Sequence, residues 1–218
     1  MINDYLKRFI DVAGSSVALL IFFPAFIAVS ILVKISSPGP ILFRQLRLGI
    51  NGKPFEMLKF RTMHHNTEES GTGLFSYKDD PRITKVGNFL RKASLDEIPQ
   101  LINVLGGSMS LVGPRPPVTY ELGKWEEYTE NMKIRFEVKP GITGLAQISG
   151  RNELNWDTKI QFDNKYVSLY KKWGVLIDMY IFLKTIWVVI LGRNTIEERS
   201  SLEDGPVARK AKEAITKR

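Results

Sequence analysis

Asp96 and Glu97 are adjacent carboxylates in the stretch ASLDEIPQLINVLGGSMSLVGPRPP, residues 93–117. Arg91 and Lys92 precede them, and Gly113-Pro114-Arg115-Pro116-Pro117 follows as a rigid basic turn. An acidic pair framed by arginines and a Gly/Pro-shaped turn suits a metal-assisted phosphoryl reaction. A carboxylate can act as a nucleophile, oxygen ligands suit a hard cation such as Mg²⁺, and arginine forks grip phosphate oxygens in pairs. A plainer reading fits the same residues. Ser94 would cap a helix, the two acids would favour its dipole, and Pro99 would sit in its first turn. The two readings are compatible.

The elements that must position this stretch begin with a membrane segment. Residues 12–35 are nearly all apolar, interrupted by Gly14, Ser15, Ser16, Pro24, Ser30 and Lys34. That is about the length a helix needs to cross a bilayer. Pro24 near its middle removes a backbone hydrogen bond and kinks the helix. Basic residues flank both ends, with Lys7 and Arg8 before and Lys34, Arg44 and Arg47 after. Basic flanks stay cytoplasmic, so both ends are expected on one side. The expectation is a re-entrant helix-break-helix over residues 1–36, with Pro24 as the membrane break. A single kinked span and a cleaved leader are the alternatives.

A compact catalytic domain is expected over residues 37–191. ILFRQLRL and PFEMLKFRTM, on either side of Gly49-Ile50-Asn51-Gly52, read as a strand hairpin. Lys59 and Arg61 would share one strand face, either as a phosphate-binding surface or as two solvated charges. Residues 64–80 lack periodicity and read as a mobile loop; His64 and His65 are adjacent and point apart on an extended chain, which disfavours a metal site. Val86, Phe89 and Leu90 predict a short amphipathic helix that delivers Arg91 and Lys92 to the acidic pair. Residues 118–136 read as a helix, and 145–148 as a short strand within the glycine-bearing loop VKPGITGLAQISGR. That loop suits close approach to a ligand, with Arg151 closing it, or it is a structural turn. Residues 156–170 predict a helix with Asp163 and Tyr166 on one face. Residues 177–191 predict an interfacial or core-docking helix with Lys184 and Trp187 near a membrane surface. Residues 192–218 read as a mobile charged tail. The fold class is α+β, mostly helical, with short strands and interfacial amphipathic helices.

LDEIPQLINVL followed by GSMSLVGPRP, together with KFRTM, DPRITKVGNFLRKASLDE and KPGITGLAQISGR, resembles the bacterial sugar transferases, the small monotopic phosphoglycosyl transferases. The resemblance runs over residues 4–191 with its motifs in order. The family's larger members carry further membrane helices and another domain ahead of this region, and this chain resembles the minimal form. It implies that Asp96 attacks the sugar-bearing phosphorus of a UDP-sugar, with Glu97 helping to hold Mg²⁺ or to orient the pair. The resulting phosphosugar passes to undecaprenyl phosphate. Lys59, Arg91, Arg115 and Arg151 would neutralise phosphate charge, and Asp163 joins the site through the family's Asp and Tyr spacing. It also implies the bacterial inner membrane, with the catalytic domain on the cytoplasmic face and membrane lipid as a contact. Self-association into a homo-oligomer is left open.

Composition bounds the remaining classes. Thirty-one Lys and Arg against 23 Asp and Glu give a net charge of +8, which favours an anionic partner. No cysteine is present, so disulfide frameworks and thiolate sites are excluded. Two competitors stand against the enzyme. A membrane-anchored nucleic-acid binder would leave the acidic pair and Pro24 without a purpose, so no nucleic acid is expected. A non-catalytic membrane scaffold would make Asp96 and Arg115 dispensable. Within enzymes, transfer of the sugar alone would release UDP rather than UMP.

Overall fold

The apolar run forms the last two thirds of one long helix, α1 (Ile2–Ser36), which continues through Pro24 where a break between two helices was expected. By length and composition it is sufficient to cross a membrane. The computed structural model describes residues 2–65, 67, 80–150 and 154–190. The expected tail over 192–218, most of the expected loop over 64–80, and Arg151 lie outside the described residues.

One face of α1 packs on the rest of the chain. Val29 and Val33 are buried in a cluster with Phe60, Leu90, Ile98 and Leu101. The Phe26 and Phe60 rings lie 4.8 Å apart. Each such buried side chain contributes roughly 1.5–3 kcal/mol. The other face leaves Leu20, Ile21, Phe23 and Ile31 exposed.

The helix is also tied by polar bonds at both ends. Arg8 donates to the carbonyls of Val104 at 2.6 Å and Leu105 at 2.7 Å. Asp11 accepts from Ser110 Oγ and Leu111 N, each at 3.0 Å. At the far end Arg61 Nη2 donates to Ser37 O at 2.6 Å and to Val33 O at 3.3 Å. This corrects the expected pairing of Lys59 and Arg61 on one strand face. The strand ends at Phe60, and Arg61 turns in to satisfy the orphan carbonyls at the end of α1.

The hairpin forms as expected. Strands β1 (Leu42–Leu48) and β2 (Pro54–Phe60) pair antiparallel, with Phe43 opposite Lys59 and Arg47 opposite Phe55. Asn51 and Gly52 take left-handed conformations in the connecting turn, as an Asn-Gly hairpin signal requires. Helix α2 (Lys85–Lys92) is capped by Thr84, whose hydroxyl accepts from Gly87 N at 2.8 Å. Helix α3 (Gln100–Leu105) follows the acidic pair.

Strand β3 (Ser110–Val112) pairs in parallel with β4 (Gly141–Thr143). A Cβ on Gly113 or on Gly141 would run into the other strand's backbone. The glycines of VGPRP and KPGITG thus let two backbones cross, which is the structural reading of that loop.

Two expected elements differ. Residues 118–136 are not one helix. Gly123 has φ +90°, and only α4 (Glu130–Lys133) is α-helical there. Trp125, Tyr128 and Phe136 fold together around Leu48 and Leu122, with Trp125 and Phe136 rings 5.1 Å apart edge to face. Their loose spacing reports this cluster, not a helical stripe. Residues 145–148 are not a strand but helix α5 (Leu145–Ser149). Pairing with β3 is already made by Gly141–Thr143, and the four residues Leu145-Ala146-Gln147-Ile148 are too few to distinguish helix from strand.

Helices α6 (Trp156–Trp173) and α7 (Val175–Ile190) complete the described chain. Tyr166, Val167, Tyr170 and Ile181 bury together against Val112 and Ile148. Asp178 on α7 joins Lys7 of α1 at 2.6 Å and accepts from the Tyr166 hydroxyl at 2.7 Å. The outer face of α7 leaves Met179, Phe182, Leu183 and Trp187 exposed.

Candidate active site

The acidic pair sits on a single 3-10 turn, Leu95–Glu97, which leads through Ile98 and Pro99 into α3. Ser94 does not cap this turn. It takes a left-handed conformation, φ +55° and ψ +20°, which reverses the chain after α2 and delivers Asp96 inward. Asp96 is 8% exposed.

Among the described residues two cations reach the pair directly. Lys59 Nζ, from β2, lies 2.9 Å from Glu97 Oε1 and 3.7 Å from Asp96 Oδ2. Arg115 Nη2 lies 2.8 Å from the same Glu97 oxygen. Arg91 donates to Thr62 Oγ1 at 2.9 Å, and its charge also acts on Asp96. Lys92 stays exposed at the end of α2, so the helix delivers one of the two expected cations.

The environment drives the two carboxyls apart. Burial pushes Asp96 above the usual carboxylate range; Lys59, Arg91 and Arg115 pull it down without cancelling that, and neighbouring Glu97 pushes it up further. Burial would also raise Glu97, but the charges and hydrogen bonds of Arg115 and Lys59 outweigh it and hold Glu97 well below its usual range. Adjacent carboxyls with opposed shifts are the arrangement in which two acids take different chemical roles.

Asp163 lies elsewhere. It is buried on α6 and its Oδ2 is 2.7 Å from Arg135 Nη2, with burial pushing its carboxyl up to about 6 against the pull of Arg135. It pairs with Arg135 and does not meet the acidic pair.

Sequence reasoning missed three residues. Asn103 on α3 bridges to β2, accepting from Leu58 N at 2.9 Å and donating to Glu56 O at 2.7 Å. Its amide imitates a neighbouring strand, and so fixes Lys59 in register with Glu97. Arg47 on β1 donates to Pro116 O at 2.7 Å, close enough to Arg115 and Glu97 to feel their charges. Burial first, and the Arg115 charge after it, draw Arg47 down to about 10 against the opposing pull of Glu121 and Glu97. Arg135 donates to Arg115 O at 2.6 Å. The readable signals were slight: an Asn inside an apolar helix, and an Arg sharing a strand face with Gln45.

Among the described residues no three His, Asp, Glu or Cys side chains gather into a metal centre. The chain's own metal donors would be the carboxylates of Asp96 and Glu97. Mg²⁺ is commonly held by one or two carboxylates completed by substrate phosphates and water, so this donor set fits it. With Lys59, Arg115, Arg91 and Arg47 around two carboxylates, positive charge remains in excess, as a diphosphate ligand requires.

Comparison with known proteins bears on the same residues. The family model for bacterial sugar transferases matches residues 2–192. The chain is 42% identical over 191 residues to the UDP-glucose:undecaprenyl-phosphate glucose-1-phosphate transferase of Escherichia coli, covering 85% of this chain and 40% of that protein. It is 43% identical over 198 residues to the galactosyl transferase CpsE of Streptococcus agalactiae, covering 85% of this chain and 42% of that one. It is 41% identical over 208 residues to the exopolysaccharide production protein ExoY of Rhizobium meliloti, covering 89% of each. The chain spans about two fifths of the length of the first two relatives and most of the third. A match running from α1 to the end of α7, through the acidic pair and the basic turn, places this chain in the bacterial sugar transferase family.

Proposed function

We propose that this protein moves a sugar-1-phosphate from a UDP-sugar to undecaprenyl phosphate, the first membrane step of a polysaccharide or other glycoconjugate. The observation that carries the reading is the opposed pair: a buried Asp96 of raised pKa beside a Glu97 held ionised by Lys59 and Arg115. Substrates of this kind are named for relatives, UDP-glucose and undecaprenyl phosphate among them.

Asp96 carboxylate attacks the sugar-bearing phosphorus. A P–O bond forms to Asp96, the bond to the bridging oxygen breaks, and UMP leaves with that oxygen. A phosphate oxygen of undecaprenyl phosphate then attacks the same phosphorus. The acyl phosphate bond breaks, Asp96 returns as carboxylate, and a lipid diphosphate sugar departs. Phosphoryl transfer needs positioning and charge neutralisation more than covalent chemistry from the protein. Arg115 and Arg91 supply that charge, Lys59 keeps Asp96 reactive, and Glu97 anchors both Lys59 and Arg115. When bound at Asp96 and Glu97, Mg²⁺ supplies further neutralisation of phosphate charge.

The membrane reading is a re-entrant α1 that enters and leaves on one face, at the cytoplasmic side of the bacterial inner membrane. Arg8 and Val33 are separated by roughly 37 Å along a straight helix. Yet Arg8 and Asp11 near one end, and Val33 near the other, bond to the same domain. A simple crossing would put those ends on opposite sides of the bilayer. The exposed apolar faces of α1 and α7 suit lipid contact beside a site that must take one soluble and one lipid substrate.

The test is nucleotide release. Detergent-solubilised protein receives Mg²⁺, undecaprenyl phosphate and a panel of UDP-sugars that includes UDP-glucose and UDP-galactose. UMP is the expected product. UDP would mean that the sugar alone moves, and the roles given to Asp96 and Glu97 would fall.

A further inference from the structure

The turn Gly113-Pro114-Arg115-Pro116-Pro117 contains three prolines, so most of its residues have no backbone N–H. It cannot close itself by the usual turn hydrogen bonds. Its last four carbonyls nevertheless are held. Pro114 O accepts from Gly141 N at 2.9 Å, and Pro117 O from Leu48 N at 3.0 Å. Between them, Arg115 O accepts from Arg135 Nη2 at 2.6 Å, and Pro116 O from Arg47 Nη1 at 2.7 Å. Four consecutive carbonyls thus meet four donors, and the two middle ones, of Arg115 and Pro116, are met by arginine side chains.

Both arginines are themselves held. Arg135 is 2% exposed, lies 2.7 Å from Asp163 Oδ2, and stacks its guanidinium against Trp156 at 5.1 Å and Phe136 at 5.3 Å. Arg47 donates from Nε and Nη2 to Gln45 Oε1, at 3.0 and 2.7 Å. Arg115, by contrast, is the partly open member of its pair, with a side chain 35% exposed. Its aim at Glu97 depends on where its backbone is fixed.

We infer that Arg47 and Arg135 are positioning residues that grip the proline-rich turn from its two sides and thereby set Arg115 against Glu97. Asp163 neutralises the buried Arg135, which gives this α6 residue a purpose at a distance from the chemistry. The inference rests on the reading of Asp96, Glu97 and Arg115 as the phosphoryl-transfer site. Lysine keeps the charge but lacks the flat guanidinium that stacks on Trp156 and Phe136 in Arg135, and that meets Gln45 and Pro116 through separate nitrogens in Arg47. Misplacement of a catalytic group by about 1 Å costs as much as roughly 100-fold in rate.

The test is a double-mutant cycle on UMP release, with Mg-UDP affinity measured by calorimetry in parallel. Arg135→Lys leaves Asp163 paired, and Arg47→Lys probes the same turn from a less buried side. Each is expected to lower kcat on the order of 10-fold in the wild-type background and less than about twofold when Arg115 is already alanine, because coupled residues do not add. Far-ultraviolet circular dichroism and Tm serve as folding controls. If both lysine variants lose the same factor with and without Arg115, the arginines act on general stability and the inference is wrong. If the wild type releases UDP instead, the nucleophile reading fails on its own, and the same cycle read on Mg-UDP affinity still decides the role of the two arginines. A wild type with no UDP affinity at all would overturn both.

Discussion

Lys59→Met removes one charge from between two carboxylates while keeping most of the side-chain volume. Lys59 Nζ lies 3.7 Å from Asp96 Oδ2. At an effective dielectric near 20, a unit pair at such a separation is worth roughly 4 kcal/mol. Arg91 and Arg115 keep acting on Asp96 after the change. Water also enters beside the shorter charge set, so a loss of about 1.5–3 kcal/mol, or about 10- to 100-fold in rate, is expected near neutral pH. The sign of the pH dependence follows from the direction of the shift. Lys59 favours ionised Asp96, so its removal moves that carboxyl still higher and leaves less of the nucleophile ionised on the acid side. Raising the pH restores the ionised form. The assay is kcat for UMP release across about pH 5.5 to 9, wild type against variant. The deficit should be greatest at the acid end and shrink toward the alkaline end. A deficit of constant size at every pH would mean that Lys59 acts on substrate phosphate and not on Asp96.

Three further outcomes follow from the packing and the donor set. A methyl on Gly87 would collide with the Thr62 carbonyl, a backbone group that cannot swing aside. Gly87→Ala is therefore expected to destabilise by about 3 kcal/mol, the upper end for overpacking, and to displace Arg91 from Thr62, lowering Tm and activity together; an unchanged Tm would contradict this. Asn103→Ala strips Leu58 N and Glu56 O of their partner. The expected cost is about 1–3 kcal/mol, seen as a Tm lower by roughly 2–4 °C per kcal/mol, with slower UMP release as Lys59 loses its register. Chelation of Mg²⁺ is expected to abolish UMP release and to lower Mg-UDP affinity at least tenfold, about 1.4 kcal/mol, with Tm in the absence of nucleotide unmoved. Full activity in chelator would remove the metal role from Asp96 and Glu97.

Much of the architecture was readable because it is local. The hairpin announced itself by two short runs on either side of Gly49-Ile50-Asn51-Gly52, α2 and α6 by apolar spacing, and α7 by its apolar run. The acidic pair, Lys59 and Arg115 were readable as chemistry, and the structure brings those four together. What was not readable is carried by contacts between distant positions. Asn103 meets Leu58 across 45 residues, Arg135 meets Arg115 O across 20, and Arg47 meets Pro116 O across 69. No period or local motif encodes such pairings. Arg61 was misread for the same reason: alternation gave its strand face, while its partner is the end of α1, 24 residues earlier. The region 118–136 failed because Trp125, Tyr128 and Phe136 are placed by packing on Leu48 and not by helical spacing. Asp163 was singled out by its spacing to Tyr166, yet its partner Arg135 drew no notice, so its place behind the basic turn was hidden.

The central claim is that Asp96 carries the phosphosugar. Purified protein incubated with Mg²⁺ and UDP-glucose or UDP-galactose, without undecaprenyl phosphate, would be examined by intact mass and by peptide mapping. The expected result is a gain of one sugar phosphate on the peptide holding Asp96, with UMP released in step with it, discharge of the adduct by added undecaprenyl phosphate, and no adduct in Asp96→Asn. Steady turnover by wild-type protein with no such adduct, or an adduct that persists in Asp96→Asn, would contradict the claim.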